Sequence, residues 1–170
     1  MMLPAKLSGS PKLEIFLIDL HQKILEVASD LEPLFNICAG EARFGASVIE
    51  ADLRNLSSDR KILEIGGGVL LLSCHLQQEG YVVTVVEPVG CGFSHFNRLR
   101  KIVLDYARER GFAPTLVTVP AENLNFTSEF DFAFSINAME HVGDVAMVLR
   151  RVISAVMPGG HYHFLCPNYL

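Results

Sequence analysis

From Lys61 onward, short apolar runs rich in β-branched residues alternate with stretches of helical spacing. No other feature constrains the fold as much. The runs lie at 61–65, 81–86, 115–119, 132–136 and 161–166, and the helical stretches at 69–79, 93–110 and 145–157. Parallel neighbours need a crossover, which strand–helix alternation supplies. Runs this continuously apolar need cover on both faces. The expected fold class is α/β, a doubly wound parallel sheet of five strands.

Two helical stretches precede the sheet. Residues 12–30 place Leu13, Phe16, Leu17, Leu20, Ile24 and Val27 at helical spacing, and residues 41–56 place Phe44, Val48, Ile49 and Leu53 on one side. Pro33 and Gly40 bracket a turn-like segment between them, and Pro4, Gly9, Ser10 and Pro11 mark a loose leader. The chain divides into an N-terminal helical segment, 1–57, and an α/β domain, 58–170. The first is expected to pack beside the sheet, with a cap over a pocket as the other arrangement.

Half of the 170 residues are hydrophobic, enough for a substantial core. The net charge of −5 argues against a general nucleic-acid binder. Cys38, Cys74, Cys91 and Cys166 form no C-x-x-C pair and read as reduced thiols of a cytoplasmic protein. The N-terminal apolar stretch carries Glu14, Asp19 and His21, so it is neither a signal peptide nor a membrane span.

In a doubly wound sheet, ligands bind outside the carboxyl ends of the strands. Polar and glycine residues recur at those ends. KILEIGGGVL runs from a buried strand through Gly66, Gly67 and Gly68 into a helix, whose free N–H groups face the space the glycines leave. Glu87 ends the second run, Ala121 and Glu122 follow the third, and Asn137 to His141 follow the fourth. A dinucleotide fingerprint needs a glycine where Leu71 stands. Glu87 suits a ribose diol, which both NAD and S-adenosylmethionine carry. Arg98, Arg100, Lys101, Arg108 and Arg110 read as a solvated helix face, with cations favourably placed near the helix C-terminus.

The wider pattern chooses between the two cofactors. LEIGGG, VTVVEP, PAENLNF, FDFAFSINAMEHV and MPGGHYHF, in that order across 61–167, resemble the class I S-adenosylmethionine-dependent methyltransferases that act on small molecules. The resemblance implies a Rossmann-like sheet with S-adenosylmethionine as cofactor. Glu64, Gly66, Gly67 and Gly68 would hold the methionine portion and ribose, and Glu87 the ribose hydroxyls. Ala121 and Glu122 would lie beside the adenine, and Asn137 and Ala138 at the sulfonium end. Three departures stand out. Leu70 replaces a frequent glycine, and Pro120 replaces a frequent acid. The chain also stops where the family usually adds two strands, so the domain is expected to be incomplete, a fragment of a longer protein, or covered along its fifth strand by a partner or second copy.

Methyl transfer is an in-line displacement, and much of its catalysis can be positioning. A base is needed only where the acceptor must lose a proton. His141 is the candidate, weighed against helix capping or packing. Asp144 reads as a helix cap. Some relatives hold a metal here, but with Asn137 in the first acidic position only Glu140 and His141 remain, so no metal is expected. His161 and His163 alternate on the fifth strand and read as an exposed sheet face. Two rivals remain: a non-catalytic or degenerate cofactor-binding or partner module, and behind it an NAD(P)-dependent oxidoreductase.

Overall fold

The computed structural model describes residues 11–88 and 94–167. The leader before Pro11, the Gly90 and Gly92 loop with Cys91, and Phe93 at the start of an expected helix lie outside the described residues.

Two helices come first, α1 (Pro11–Ala28) and α2 (Glu32–Leu53), joined by a short 3-10 turn at Ser29–Leu31. The alternating part follows as β1 (Lys61–Ile65), α3 (Leu71–Gln78), β2 (Val82–Val86), α4 (Ser94–Glu109), β3 (Thr115–Val117), β4 (Phe130–Ile136), α5 (Val145–Ala155) and β5 (Val156–Leu165). All paired strands are parallel, in the order β3-β2-β1-β4-β5. The doubly wound expectation holds. The order reverses between β1 and β4, which places a crevice at their carboxyl ends.

Successive strand residues point to opposite faces. Ile62, Val83, Val85, Phe132 and Phe134 therefore join one cluster, with Leu13, Phe16, Leu20 and Ile24 of α1 and residues of α2, α3 and α4. Leu63, Ile65, Val86 and Ala133 join a second, against Val148 and Val152 of α5. The N-terminal helices thus share a core with the sheet and form a packing layer. Leu13, Phe16, Leu17, Leu20 and Ile24 are each 2% exposed or less, and burying each contributes roughly 1.5–3 kcal/mol.

One expectation needs correction. Pro33 and Gly40 do not bracket a turn, since both lie within α2. Proline in a first helical turn lacks only an N–H that would be unpaired there anyway. Gly40 is exposed, and its cost of about 1 kcal/mol is outweighed by burial of Phe35, Cys38, Ala39 and Ile49. Pro158, Gly159 and Gly160, residues typical of a turn, lie instead in a bulge within β5: Phe130 pairs with Val156, whereas Phe132 pairs with His161. Cys38, Cys74 and Cys166 are free thiols, and burial pushes Cys38 up to about 11 and Cys74 to about 12.

His161 and His163 are not a bare sheet face. His161 Nε2 lies 2.9 Å from Asp52 Oδ1, and His163 Nδ1 lies 2.8 Å from Asp52 Oδ2. One carboxylate of α2 therefore clamps β5. Asp144 caps α5 as expected, accepting the Met147 N–H at 2.8 Å.

Candidate cofactor site

The glycine turn leaves β1 under tight steric control. Gly66 has φ +79° and donates its N–H to the Val86 carbonyl at 2.8 Å, so the turn is tied to the end of β2. A Cβ on Gly67 would meet Val85 Cγ1 at 2.3 Å. Gly68 donates its N–H to Glu87 Oε2 at 3.0 Å. Leu70 is fully buried with φ +72°, in the left-handed region that a glycine would occupy without strain.

Two carboxylates flank this turn. Glu64 is 5% exposed, and its Oε2 accepts the Ser73 hydroxyl of α3. Burial pushes Glu64 up to about 7; the Ser73 hydrogen bond opposes this, and the negative charge of Glu87 adds to it. Glu87 is raised too, chiefly by burial, against the Gly68 N–H and the charges of Arg100 and His141. The two acids sense each other across one space.

The solvated-face reading of α4 fails at Arg100. This side chain is buried and reaches Glu87 Oε1 through Nη2 at 3.2 Å. Phe96, four residues earlier on the same helix face, lies 3.5 Å from where a Gly68 Cβ would stand. Arg100 and Ser73 are the site residues that sequence reasoning missed. Arg100 carried a signal: it sits between Leu99 and Val103 in the apolar stripe of the helix, where a solvated cation does not belong.

The β4 side closes the crevice. A Cβ on Gly66 would meet the Cβ of Ala138 at 2.3 Å. Asn137 has φ +52° and donates its N–H to the Leu165 carbonyl at 3.0 Å. The His141 side chain is 79% exposed, 4.0 Å from Glu140 Oε1, and close enough for its charge to act on Glu87. Ala121 is buried in the second core cluster. Glu122 turns to backbone, accepting the N–H groups of Gly143 at 2.7 Å and Asp144 at 3.2 Å through Oε1. Glu64, the three glycines, Glu87, Ala138 and His141 thus come together, while the contacts described for Ala121, Glu122 and Asn137 are with the scaffold.

Two shallow depressions of about 430 Å³ each lie elsewhere, one beside Lys61 and Asp131 and the other along the β5 bulge. Both are at the amino ends of the strands, away from the crevice where a doubly wound sheet binds ligands. No helix among the described residues is long and apolar enough to cross a membrane.

The likenesses to known proteins agree with this geometry. The sequence matches the profile of a methyltransferase domain over residues 37–169. Uncharacterized proteins from two Mycobacterium tuberculosis strains are 47% identical over 132 residues, 78% of this chain and 44% of theirs. The chain therefore spans less than half the length of these curated relatives. A putative S-adenosyl-L-methionine-dependent methyltransferase from Methanococcus maripaludis has a TM-score of 0.56 at 14% identity, covering 96% of this chain and 66% of its own. A Haemonchus contortus phosphoethanolamine N-methyltransferase, solved with phosphomonomethylethanolamine and S-adenosylhomocysteine, has a TM-score of 0.56 at 22% identity, covering 67% and 26%. The five-stranded parallel sheet flanked by helices is the Rossmann-like fold of these class I enzymes. The chain belongs to the methyltransferase domain family.

Proposed function

We propose that this domain binds S-adenosylmethionine at the carboxyl ends of β1 and β2 and transfers its methyl group to a small-molecule acceptor. One observation carries the reading: buried Glu64 and half-buried Glu87 flank a glycine turn that has no room for a side chain at Gly66 or Gly67, and no cation pairs with Glu64 among the described residues. A buried carboxylate without a cation is costly and suits a cationic ligand. The residues therefore fit a cofactor that carries an ammonium, a sulfonium and a ribose diol.

When bound, the cofactor supplies a methyl carbon made electrophilic by its sulfonium leaving group. The chain's own work is to bind and orient. Glu87 accepts hydrogen bonds from ribose hydroxyls, and Glu64 offers negative charge toward the methionine end. Gly66, Gly67 and Gly68 let backbone approach closely, with Asn137 and Ala138 facing them from β4. Ala121 and Glu122 border the adenine side. His141, exposed at the mouth, takes a proton from an acceptor that must lose one. No role is assigned to a metal.

The acceptor is a small molecule rather than a nucleic acid, in keeping with the net charge of −5. The expected location is the cytoplasm. The outer edge of β5, unpaired among the described residues and with Phe164 47% exposed, is where a partner or a second copy would pair.

The test is methyl transfer from cofactor labelled in its methyl group, across small amine, hydroxyl and carboxyl acceptors. Label in at least one acceptor, reduced by His141→Ala for acceptors that must lose a proton, is the expected result. No label in any acceptor, from protein that binds the cofactor, would leave a binding module instead of an enzyme.

A further inference from the structure

Arg100 is more than a counter-ion. It is 6% exposed, and among the described residues its Nε and Nη1 are buried with no hydrogen-bond partner. Its only hydrogen bond there is from Nη2 to Glu87 Oε1. The Phe96 ring lies 5.6 Å from its guanidinium carbon, on the side of the helix that faces the glycine turn. A charged group in this setting normally has its donors satisfied. Two donor nitrogens, with three N–H groups between them, therefore stand unpaired beside a carboxylate that already marks a ligand site.

The pairing has a chemical meaning. A carboxylate only accepts hydrogen bonds, and a guanidinium only donates them. Among the described residues Glu87 accepts one bond on each oxygen, from Gly68 and from Arg100, which leaves each oxygen a second lone pair toward them. A vicinal diol both donates and accepts at each hydroxyl. Glu87 alone can satisfy only its donating half.

We propose that Arg100 and Glu87 act as one donor–acceptor unit that reads the ribose diol, making Arg100 a specificity-determining residue of the cofactor site. The inference rests on the cofactor reading above and adds to it a residue from α4. Arg100 also holds Glu87 in place, which is a positioning role. Recognition of the diol is the separate claim, and the one under test.

The experiment is calorimetric titration of the full chain with S-adenosylhomocysteine and with its 2′-deoxyadenosyl analogue, repeated on Arg100→Met and Arg100→Lys. Hydrogen bonds to charged groups correspond to roughly 10- to 100-fold in affinity. Wild type is expected to prefer the diol by that ratio. Arg100→Met, which keeps the length but not the donors, should bind both ligands within about threefold, and Arg100→Lys should recover part of the preference. Equal binding of the two ligands by wild type overturns the proposal without relying on any variant. A full preference retained in Arg100→Met also overturns it, leaving Arg100 as packing. Wild type that binds neither ligand overturns the cofactor reading itself, a different failure from the other two.

Discussion

Gly66 and Ala138 meet where the sheet order reverses, so closely that a Cβ on the glycine would stand 2.3 Å from the alanine Cβ. This contact joins the end of β1 to the residues after β4 and sets the width of the crevice. Gly66→Ala must adopt φ +79° and also push Ala138 away. Left-handed strain of about 1–2 kcal/mol and overpacking of about 1–3 kcal/mol give an expected loss of about 2–5 kcal/mol. Urea unfolding measures it. Unchanged stability would mean that the two strand ends are not held this tightly.

Glu64 gives a pH signature of the opposite sign to most carboxylates. Its pKa in the folded chain, about 7, lies above its ordinary value, because burial disfavours the charge. The native state then binds the proton more tightly than the unfolded chain does. This contribution to stability is complete below about pH 4.5 and is lost as pH rises through about 7. Glu64→Gln keeps an acceptor for the Ser73 hydroxyl and never ionises. It is expected to be more stable than wild type by about 3 kcal/mol at pH 8 and equal to it at pH 4. The same variant should bind S-adenosylmethionine more weakly, since the cofactor loses a carboxylate. A stability difference independent of pH would show that burial does not raise Glu64.

Leu70 sets two effects against each other. Its left-handed backbone costs about 1–2 kcal/mol, which Leu70→Gly would remove. The side chain is fully buried and packs against Gly67, and deleting such a leucine costs about 2–5 kcal/mol. Packing outweighs strain, so Leu70→Gly should destabilise by about 1–3 kcal/mol in thermal or chemical unfolding. A gain in stability would mean that the leucine is a poorly packed substitute for glycine.

The strands of this fold were legible because their apolar runs are short, β-branched and set off by turn residues. Position along a helix was harder to read. Pro33 looks like a break until its place in the first turn of α2 is known. Arg100 looks solvated because arginine usually is, and only its place in the stripe of Phe96, Leu99 and Val103 marks it as buried. Gly66, Gly67, Gly68 and Glu87 stood out because a backbone turn and a strand-end acid are local features. Partnerships that cross the fold were invisible. Ser73 reaches Glu64 only after the turn and α3 form, and Asp52 meets His161 and His163 only when α2 docks on β5. For the same reason the backbone bonds of Glu122 could not be read from its position after β3.

Calorimetric titration of the 170-residue chain with S-adenosylhomocysteine, with NAD as control and Glu87→Ala alongside, tests whether the glycine turn and Glu87 hold this cofactor. Micromolar binding of S-adenosylhomocysteine is expected, with none of NAD and a loss of roughly 10- to 100-fold in Glu87→Ala. Binding of NAD alone, or an affinity for S-adenosylhomocysteine unchanged in Glu87→Ala, would contradict the cofactor reading.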